Sequence, residues 1–345
     1  MPTHLFAYGT LRQPEVQRAV FGRVLDGAED AVCGYDLGAL RITDPDVIAS
    51  SGSDFHPVLL PSDDRGQQVA GTVFAISDED LAAADDYEVD DYHRIQVPLQ
   101  SGLLAWVYVY DTERFEAGRA ASLLDAQDKA LELLAEVTRC QLVTAGVTER
   151  TASDAIPDLA ADMFGVTRHW HKRIVRAGPN TLLPYEHNPP DRIITGDDIA
   201  FLDFGPIFAE WEAYVGRTVV LGTDPLKQRL AAALPVIWQA GRDYFDSHPD
   251  VTGEELYAHV VGLAEQDGWD FPGQIAGHLV GEFPHKEISG SEIESYIAPG
   301  NSHPMRRLDP AGRSCHWILE VHLVDRDRQL GGFHEELLDI PGTTG

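Results

Sequence analysis

The segment DDIAFLDFGPIFAEWEAYVGRTVVLG, residues 197–222, carries the clearest structural signal in the chain. It begins with a strand-like apolar run at Ile199–Phe204, and a second such run follows at Thr218–Leu221. Asp203 stands at the end of the first run, directly before a Phe-Gly pair. This carboxylate is the first candidate for a functional side chain.

Further candidates follow in three later segments. They are His278 and His285 in GHLVGEFPHKE (277–287), Glu320 in WILEVHLVD (317–325), and Glu335 and Glu336 in GGFHEELLDI (331–340). The order Asp, His, Glu, Glu, with each residue on or beside a strand, resembles the pita-bread metallopeptidases, which include creatinase, prolidase and methionine aminopeptidase. The resemblance covers about residues 123–340. The upstream segment RIVRAGPNTLLP (173–184) and a helix that ends at AGVTE (145–149) fit the same fold.

This resemblance implies an α+β pita-bread domain over residues 123–345 that binds divalent metal. It implies that the metal ligands are Asp203, His278, Glu320 and Glu335, with Glu336 as the alternative to Glu335. It also implies a catalytic His285 that contacts the substrate or an intermediate. Carboxylate oxygens and one imidazole suit Mn, Fe, Co or Zn. In such a centre the metal lowers the pKa of bound water and polarises the scissile carbonyl.

Two positions depart from the family pattern. The family places a second aspartate eleven residues after the first, and Tyr214 stands there in this chain. A phenol does not replace a bridging carboxylate, so we expect one divalent ion (Mn, Co, Zn or Fe) rather than two. Glu212, two residues away, would face the same way on a strand and offers a partial replacement. The family also favours a histidine where Tyr185 stands, and His187 is our candidate substrate-binding residue nearby.

The N-terminal third contains a second pair of motifs. HLFAYGTLR (4–12) runs from a strand into Tyr8, Gly9, Thr10 and Leu11, and LAAADDYEVDDYHRIQVPL (81–99) contains Glu88. Together they resemble the gamma-glutamylcyclotransferase-like, or avirulence-induced-gene-like, family. The resemblance implies a small mixed β-barrel over residues 1–115. It also implies that Glu88 is the catalytic base and that Tyr8–Leu11 bind the substrate. Val89 stands where the family often has glycine.

One carboxylate suits that chemistry. To cyclise a γ-glutamyl amide, the α-amine must lose a proton and the leaving amine must gain one, and a single general acid–base group can do both. Backbone N–H groups of the Tyr8–Leu11 loop would bind the substrate carboxylate and the developing oxyanion.

The polar segment 116–122 is expected to link the two domains, with a helix predicted over 123–143 from its apolar spacing. A length of 345 residues, 43% hydrophobic, is enough for two cores. The formal net charge of −30 argues against binding to nucleic acid or to an anionic membrane, and no run is apolar enough for a membrane helix. Three separated cysteines and the lack of a signal-peptide pattern favour a cytoplasmic protein.

Three functions fit these observations. The first is a metal-dependent amino- or dipeptidase with an accessory cyclotransferase-like domain, and its substrate would be a small peptide. The second is a cyclotransferase acting on γ-glutamyl compounds, with the pita-bread half as a degenerate scaffold. The third is a binding protein without catalysis. The sequence allows a homodimer without specifying one. We interpret His169 and His171 as packing or surface residues.

Overall fold

The structure is a computed structural model that describes residues 3–41, 55–62, 64, 66–88, 92–172, 174–282, 293–309 and 312–340. The chain forms two compact units, Met1–Gly118 and Arg119–Gly345, and each is described by itself.

The first unit is built on a five-stranded sheet and a hairpin. Its strands are β1 (Thr3–Ala7), β2 (Gly27–Cys33), β3 (Tyr35–Arg41), β4 (Phe55–Pro61), β5 (Gln68–Ile76), β6 (Tyr92–Pro98) and β7 (Leu104–Tyr110). The sheet has the order β2-β5-β1-β7-β6, and β3 pairs with β4. A bridge between Val32 and Leu99 joins the two edges of the sheet at one end. The closed barrel stays a prediction.

Alternate residues of the central strand β1 serve two cores. Phe6 belongs to a cluster with Val107, whereas Leu5 packs on the opposite face with Phe21 and Leu81. Phe21 and Leu81 come from the helices Pro14–Phe21 and Asp78–Tyr87. These helices therefore cover one face of the sheet.

The segment predicted as a linker, 116–122, is helical. The helix Thr112–Arg139 contains all of it, whereas the apolar spacing predicts a helix over 123–143. The predicted start was wrong because residues 113–122 hold mostly good helix formers and no proline, so the helix can begin at Thr112. The predicted end was wrong because Gln141 has a positive φ of 53°, which a right-handed helix does not allow. The domain limits 1–115 and 123–345 stay predictions.

The second unit is built on a six-stranded antiparallel sheet. Its strands are β8 (Ile174–Ala177), β9 (Ile199–Phe204), β10 (Ile207–Phe208), β11 (Trp211–Glu212), β12 (Val215–Val220), β13 (Leu279–Val280), β14 (His316–Asp325) and β15 (Leu330–Leu337). The sheet order is β13-β14-β15-β12-β9-β8, and β10 pairs separately with β11.

Helices cover one face of this sheet. They are the C-terminal part of Thr112–Arg139, Glu149–Phe164, Pro225–Ser247 and Gly253–Gln266. Leu319, Val321 and Leu323 of β14 belong to the core formed with the last two helices. Because alternate residues of a strand point to opposite faces, Glu320 and His322 point to the other face of the sheet. That face carries the polar side chains described below.

Among the described residues, no helix combines the length and the apolar character that a bilayer crossing requires.

Candidate functional site

Three of the predicted ligands lie in one row across the second sheet. Asp203 on β9 is opposite Gly216 on β12, Gly216 is opposite Glu335 on β15, and Glu335 is opposite Glu320 on β14. Directly opposite residues in antiparallel strands place their side chains on the same face. His278 joins the end of this row, because its carbonyl accepts a hydrogen bond from the N–H of Ile318 on β14.

His278, Glu320 and Glu335 form a group that we call the ligand cluster. One possible ligand atom from each lies within 4.8 Å of the others. Nδ1 of His278 donates to the carbonyl of Leu279 at 2.7 Å, so the neutral ring carries its lone pair on Nε2, which lies 3.9 Å from Glu320 Oε1. A backbone carbonyl that fixes the ring in this way is typical of metal-binding histidines.

The strand face decides between the two adjacent glutamates. Glu335 points into the cluster and is 3% exposed. Its neighbour Glu336 points the other way, where it forms an ion pair with Arg217 and lies 3.4 Å from His334. Among the described residues, Glu335 Oε2 has no hydrogen-bond partner although it is buried. A buried acceptor oxygen without a donor fits a cation, so the cluster fits a divalent ion.

The electrostatics of the cluster favour a cation in the same way. Burial raises the pKa of Glu320 to about 8, and the charges of Asp203 and Glu186 act in the same direction. Burial also raises the pKa of Glu335 well above its usual value, followed by the charges of Asp203 and Glu320. A bound divalent ion would offset the free-energy cost of ionising these two carboxylates.

Tyr214, which stands at the family's second aspartate position, is 2% exposed. Its ring centroid lies 4.7 Å from that of His278 and 5.7 Å from that of His171. Burial, then the charges of Glu212 and Glu335, raise the pKa of Tyr214 well above its usual value, so the phenol stays neutral. Tyr214 therefore offers the site no negative charge.

Asp203 lies outside the ligand cluster and has a different neighbour. Its Oδ1 is 3.5 Å from Nε2 of His171. Burial raises the pKa of Asp203, while electrostatic interactions with His171, Arg176 and Lys172 oppose that rise. The interpretation of His171 as a packing or surface residue was wrong, because His171 lines the site beside Asp203.

Two further site residues, His322 and Arg176, were not predicted from the sequence. His322 follows Glu320 by two residues on β14, and its Nε2 donates to the carbonyl of Thr181 at 2.8 Å. Burial lowers the pKa of His322 to about 4, so its ring is neutral. Arg176, 3% exposed, donates to the carbonyls of Leu183, Pro184 and His187. The alternation of β14 could have identified His322, because residues two apart share a face.

The row of polar residues opens into a cavity of about 470 Å³. Its wall includes the ligand-cluster residues, Asp203, His171 and His322, together with apolar side chains such as Ile174, Phe201 and Phe333. The volume is in the usual range for a small-molecule site.

The remaining predicted residues of the second unit lie elsewhere. His187 is exposed and is absent from the residues that line the cavity, whereas Tyr185 lines it. Glu212 is buried at 1% exposure, with Oε2 3.5 Å from the hydroxyl of Tyr214, and it does not line the cavity either. His285 lies outside the described residues, and its role stays a prediction.

Glu88 of the first unit ends the helix Asp78–Tyr87 as its C-cap residue. Burial raises the pKa of Glu88 to about 7. Burial is also the main cause of the raised pKa of Tyr8, followed by the charges of Tyr92 and Glu88. The charge of Glu88 therefore acts on the first residue of the predicted substrate loop.

That loop forms a short helical turn, Thr10–Arg12, which leads into the helix Pro14–Phe21. The Tyr8 hydroxyl donates to the carbonyl of Tyr108 at 3.0 Å, and the Tyr87 hydroxyl donates to Thr10 Oγ1 at 3.1 Å. Leu11 is 4% exposed and packs in the core, so only its backbone is available to a substrate. The first N–H groups of a helical turn have no partner within that turn.

An antiparallel sheet with helices on one face and a carboxylate–histidine row on the other defines the second unit as a pita-bread fold. Residues 121–309 match the model of metallopeptidase family M24, and the chain belongs to this family. Residues 5–127 match the model of the AIG2-like gamma-glutamyl cyclotransferases. A comparison with curated proteins found no match.

Solved structures support the same fold. Prolidase from Thermococcus sibiricus is similar with a TM-score of 0.51 and 20% identity, over 66% of this chain and 57% of that one. The dipeptidase PepE from Mycobacterium ulcerans is similar with a TM-score of 0.51 and 22% identity, over 68% of this chain and 60% of that one. The X-Pro aminopeptidase from Thermotoga maritima MSB8 is similar with a TM-score of 0.51 and 17% identity, over 69% of this chain and 67% of that one. This chain thus spans less than two thirds of the first two proteins.

Proposed function

We propose that the second unit is a metal-dependent amino- or dipeptidase that holds one divalent ion at His278, Glu320 and Glu335. The ligand cluster is the observation that carries this proposal. It brings an imidazole and two carboxylates within 4.8 Å, and it includes a buried oxygen of Glu335 that has no hydrogen-bond partner among the described residues. Mn, Co, Zn or Fe suits this set of ligands.

The ion, when bound, would supply Lewis acidity and a bound water of lowered pKa. The protein holds the three ligands in fixed positions. Leu279 fixes the His278 ring through its carbonyl, and Tyr214 packs edge-on against the same ring. Glu320 and Glu335 are held side by side by the β14–β15 pairing. Glu335 is buried, and the Glu320 side chain is 18% exposed where it lines the cavity.

The cavity supports a small peptide as the substrate. A volume of about 470 Å³ suits a ligand of a few residues, and Ile174, Phe201 and Phe333 offer it an apolar wall. The similar solved structures are described as a prolidase, a dipeptidase and an X-Pro aminopeptidase, and we propose the same substrate class for this chain. A role of Asp203, His187 and His285 in binding that substrate stays a prediction.

The test is hydrolysis of dipeptides, including Xaa-Pro dipeptides, by the full chain after metal removal and after addition of Mn, Co, Zn or Fe. We expect hydrolysis only after metal addition, and we expect Glu335→Gln to remove at least about 99% of it, on the scale of a lost catalytic group. Glu265→Gln, a matched change at an exposed residue, should leave the rate unchanged. Absence of hydrolysis with every metal would contradict the peptidase and favour a binding protein.

We also propose a second activity, the release of 5-oxoproline from γ-glutamyl compounds by the first unit. The position of Glu88 favours it, since this carboxylate lies near Tyr8 and burial raises its pKa to about 7. A base with that pKa takes a proton from an ammonium group near neutral pH and returns one to the leaving amine. The Val32–Leu99 bridge supports the small β-barrel proposed for this unit. A cytoplasmic location and a homodimer stay predictions.

A further inference from the structure

The cavity has a second polar side, made by His171 and Asp203, which we call the imidazole–carboxylate pair. Nδ1 of His171 donates to the carbonyl of Lys172 at 2.7 Å, and this bond turns Nε2 toward Asp203 Oδ1 at 3.5 Å. His171 is placed here by the β8–β9 pairing, since Ile174, three residues later, is directly opposite Asp203. The pair is therefore fixed by the fold of the sheet.

Tyr214 separates this pair from the ligand cluster. Tyr214 comes two residues before Gly216 on β12, and β12 lies between β9, which carries Asp203, and β15, which carries Glu335. The ring of Tyr214 is nearly parallel to that of His171, with an interplanar angle of 20°, and it meets the ring of His278 at 85°. The rings of His171, Tyr214 and His278 thus stand in series, and Tyr214 lies between the two polar sides.

The surrounding backbone fits this arrangement of rings. A Cβ atom added at Gly205 would lie 2.9 Å from Cδ2 and Nε2 of His171 and 3.4 Å from Cε1 of Tyr214. A side chain at that position would therefore displace His171 from Asp203. Glycine leaves the space that the imidazole occupies.

A second metal ion does not fit this side. A protein metal site usually has three or more ligands. Among the described residues, the ligand cluster is the one set of three His, Cys, Asp or Glu side chains with ligand atoms this close together, and neither Asp203 nor His171 belongs to it. Tyr214 adds no carboxylate, and Glu212 is absent from the cavity wall. His171 and Asp203 alone would give an ion two ligands, which is fewer than a protein metal site usually has.

We infer that the His171 imidazole takes the place of a second metal ion beside Asp203, so that His171 is a positioning residue in a one-ion centre. This inference rests on the proposed metal centre. The imidazole packs against the Asp203 carboxylate, with Nε2 3.5 Å from Oδ1, and the stacked phenol of Tyr214 covers the other side of the imidazole. Restoring an aspartate at residue 214 is then insufficient to restore a second ion, because His171 still occupies the space and engages Asp203.

Metal content measures this directly. The full chain and its variants are loaded with Co²⁺ or Zn²⁺, dialysed, and analysed for bound metal per chain, with the visible spectrum of the Co²⁺ form as a second readout. Tyr214→Asp alone should bind no more metal than the parent. Tyr214→Asp combined with His171→Ala should gain about one further ion, because Asp203, the new carboxylate at residue 214 and the neighbouring Glu335 then offer three ligands around a vacated space. His169→Ala in the same Tyr214→Asp background is the control and should gain none.

Several results would overturn the inference. They are a further ion in Tyr214→Asp alone, no further ion in the double variant, or a second ion in the parent that His171→Ala removes. Circular dichroism and thermal unfolding check that each variant is folded, and His171→Asn replaces His171→Ala in the double variant if that chain does not fold. A parent that binds no ion would contradict the proposed function. The difference between the two Tyr214→Asp variants would still decide the role of His171.

Discussion

Glu88→Gln is expected to remove cyclotransferase activity and at the same time to stabilise the first unit above neutral pH. Burial raises the pKa of Glu88 from 4.5 to about 7, so the folded chain holds a proton there that the unfolded chain has already lost. Folding is then linked to proton uptake, and stability falls as the pH rises from about 4.5 to about 7. Glutamine is neutral at every pH, so the Glu88→Gln variant does not lose stability in this way as the pH rises.

The magnitude follows from the same shift. A pKa raised from 4.5 to about 7 corresponds to roughly 3 kcal/mol between the two protonation states. Glu88→Gln should therefore exceed the parent in free energy of unfolding by up to roughly 3 kcal/mol at pH 8, and should match it near pH 4. Activity of the parent should rise about tenfold from pH 5 to pH 6 and level off above pH 7, as the ionised fraction does.

The assays are 5-oxoproline release from a γ-glutamyl amino acid across pH 5–9 and unfolding in urea at pH 4 and pH 8. Glu79→Gln, at an exposed position of the same helix, is the control and should keep both the activity and its pH profile. The reasoning would be refuted if Glu88→Gln retained full turnover, or if the parent showed a flat profile through pH 7.

Two other changes test the second unit. Metal at a hundred times its dissociation constant should raise the melting temperature of the parent by roughly 5–10 °C. Glu320→Gln should remove this stabilisation. An equal rise in the melting temperature of the variant would exclude Glu320 as a ligand. Gly216→Ala should lower the free energy of unfolding by about 1–3 kcal/mol, because a Cβ atom there would lie 2.4 Å from Phe333. Gly262→Ala is the control, because nothing lies within 4 Å of its added Cβ atom, and it should be neutral or slightly stabilising. Equal urea midpoints for the two variants would contradict the crowding at Gly216.

Much of the second sheet could be predicted from the sequence, because its strands are apolar and bounded by turns. The run 199–204 is strand β9 as predicted, whereas the run predicted at 218–221 overlaps strand β12, which begins earlier and spans Val215–Val220. Local composition was less informative for the helix Thr112–Arg139, in which the polar residues that looked like a linker form helical turns, and one of them, Arg119, is buried. The pita-bread fold is confirmed, whereas the assignment of individual site residues stays a prediction.

The site was harder to predict because it depends on strand pairing. A choice between Glu335 and Glu336 requires knowing which face of β15 meets the cavity, and the register with β14 and β12 supplies that face. His171 could not be linked to Asp203 before the pairing of Ile174 with Asp203 was known. Spacing along the chain gives the face of a residue within one strand, but it does not give the partner strand.

The central claim is a one-ion centre at His278, Glu320 and Glu335, and an anomalous difference map tests it most directly. The map would be calculated for crystals of the full chain grown with Mn²⁺ or Zn²⁺, with data collected at the absorption edge of the metal. We predict one peak, about 2.0–2.2 Å from Nε2 of His278 and from oxygens of both glutamates. Absence of a peak there, or a second peak between Asp203 and His171, would contradict the account.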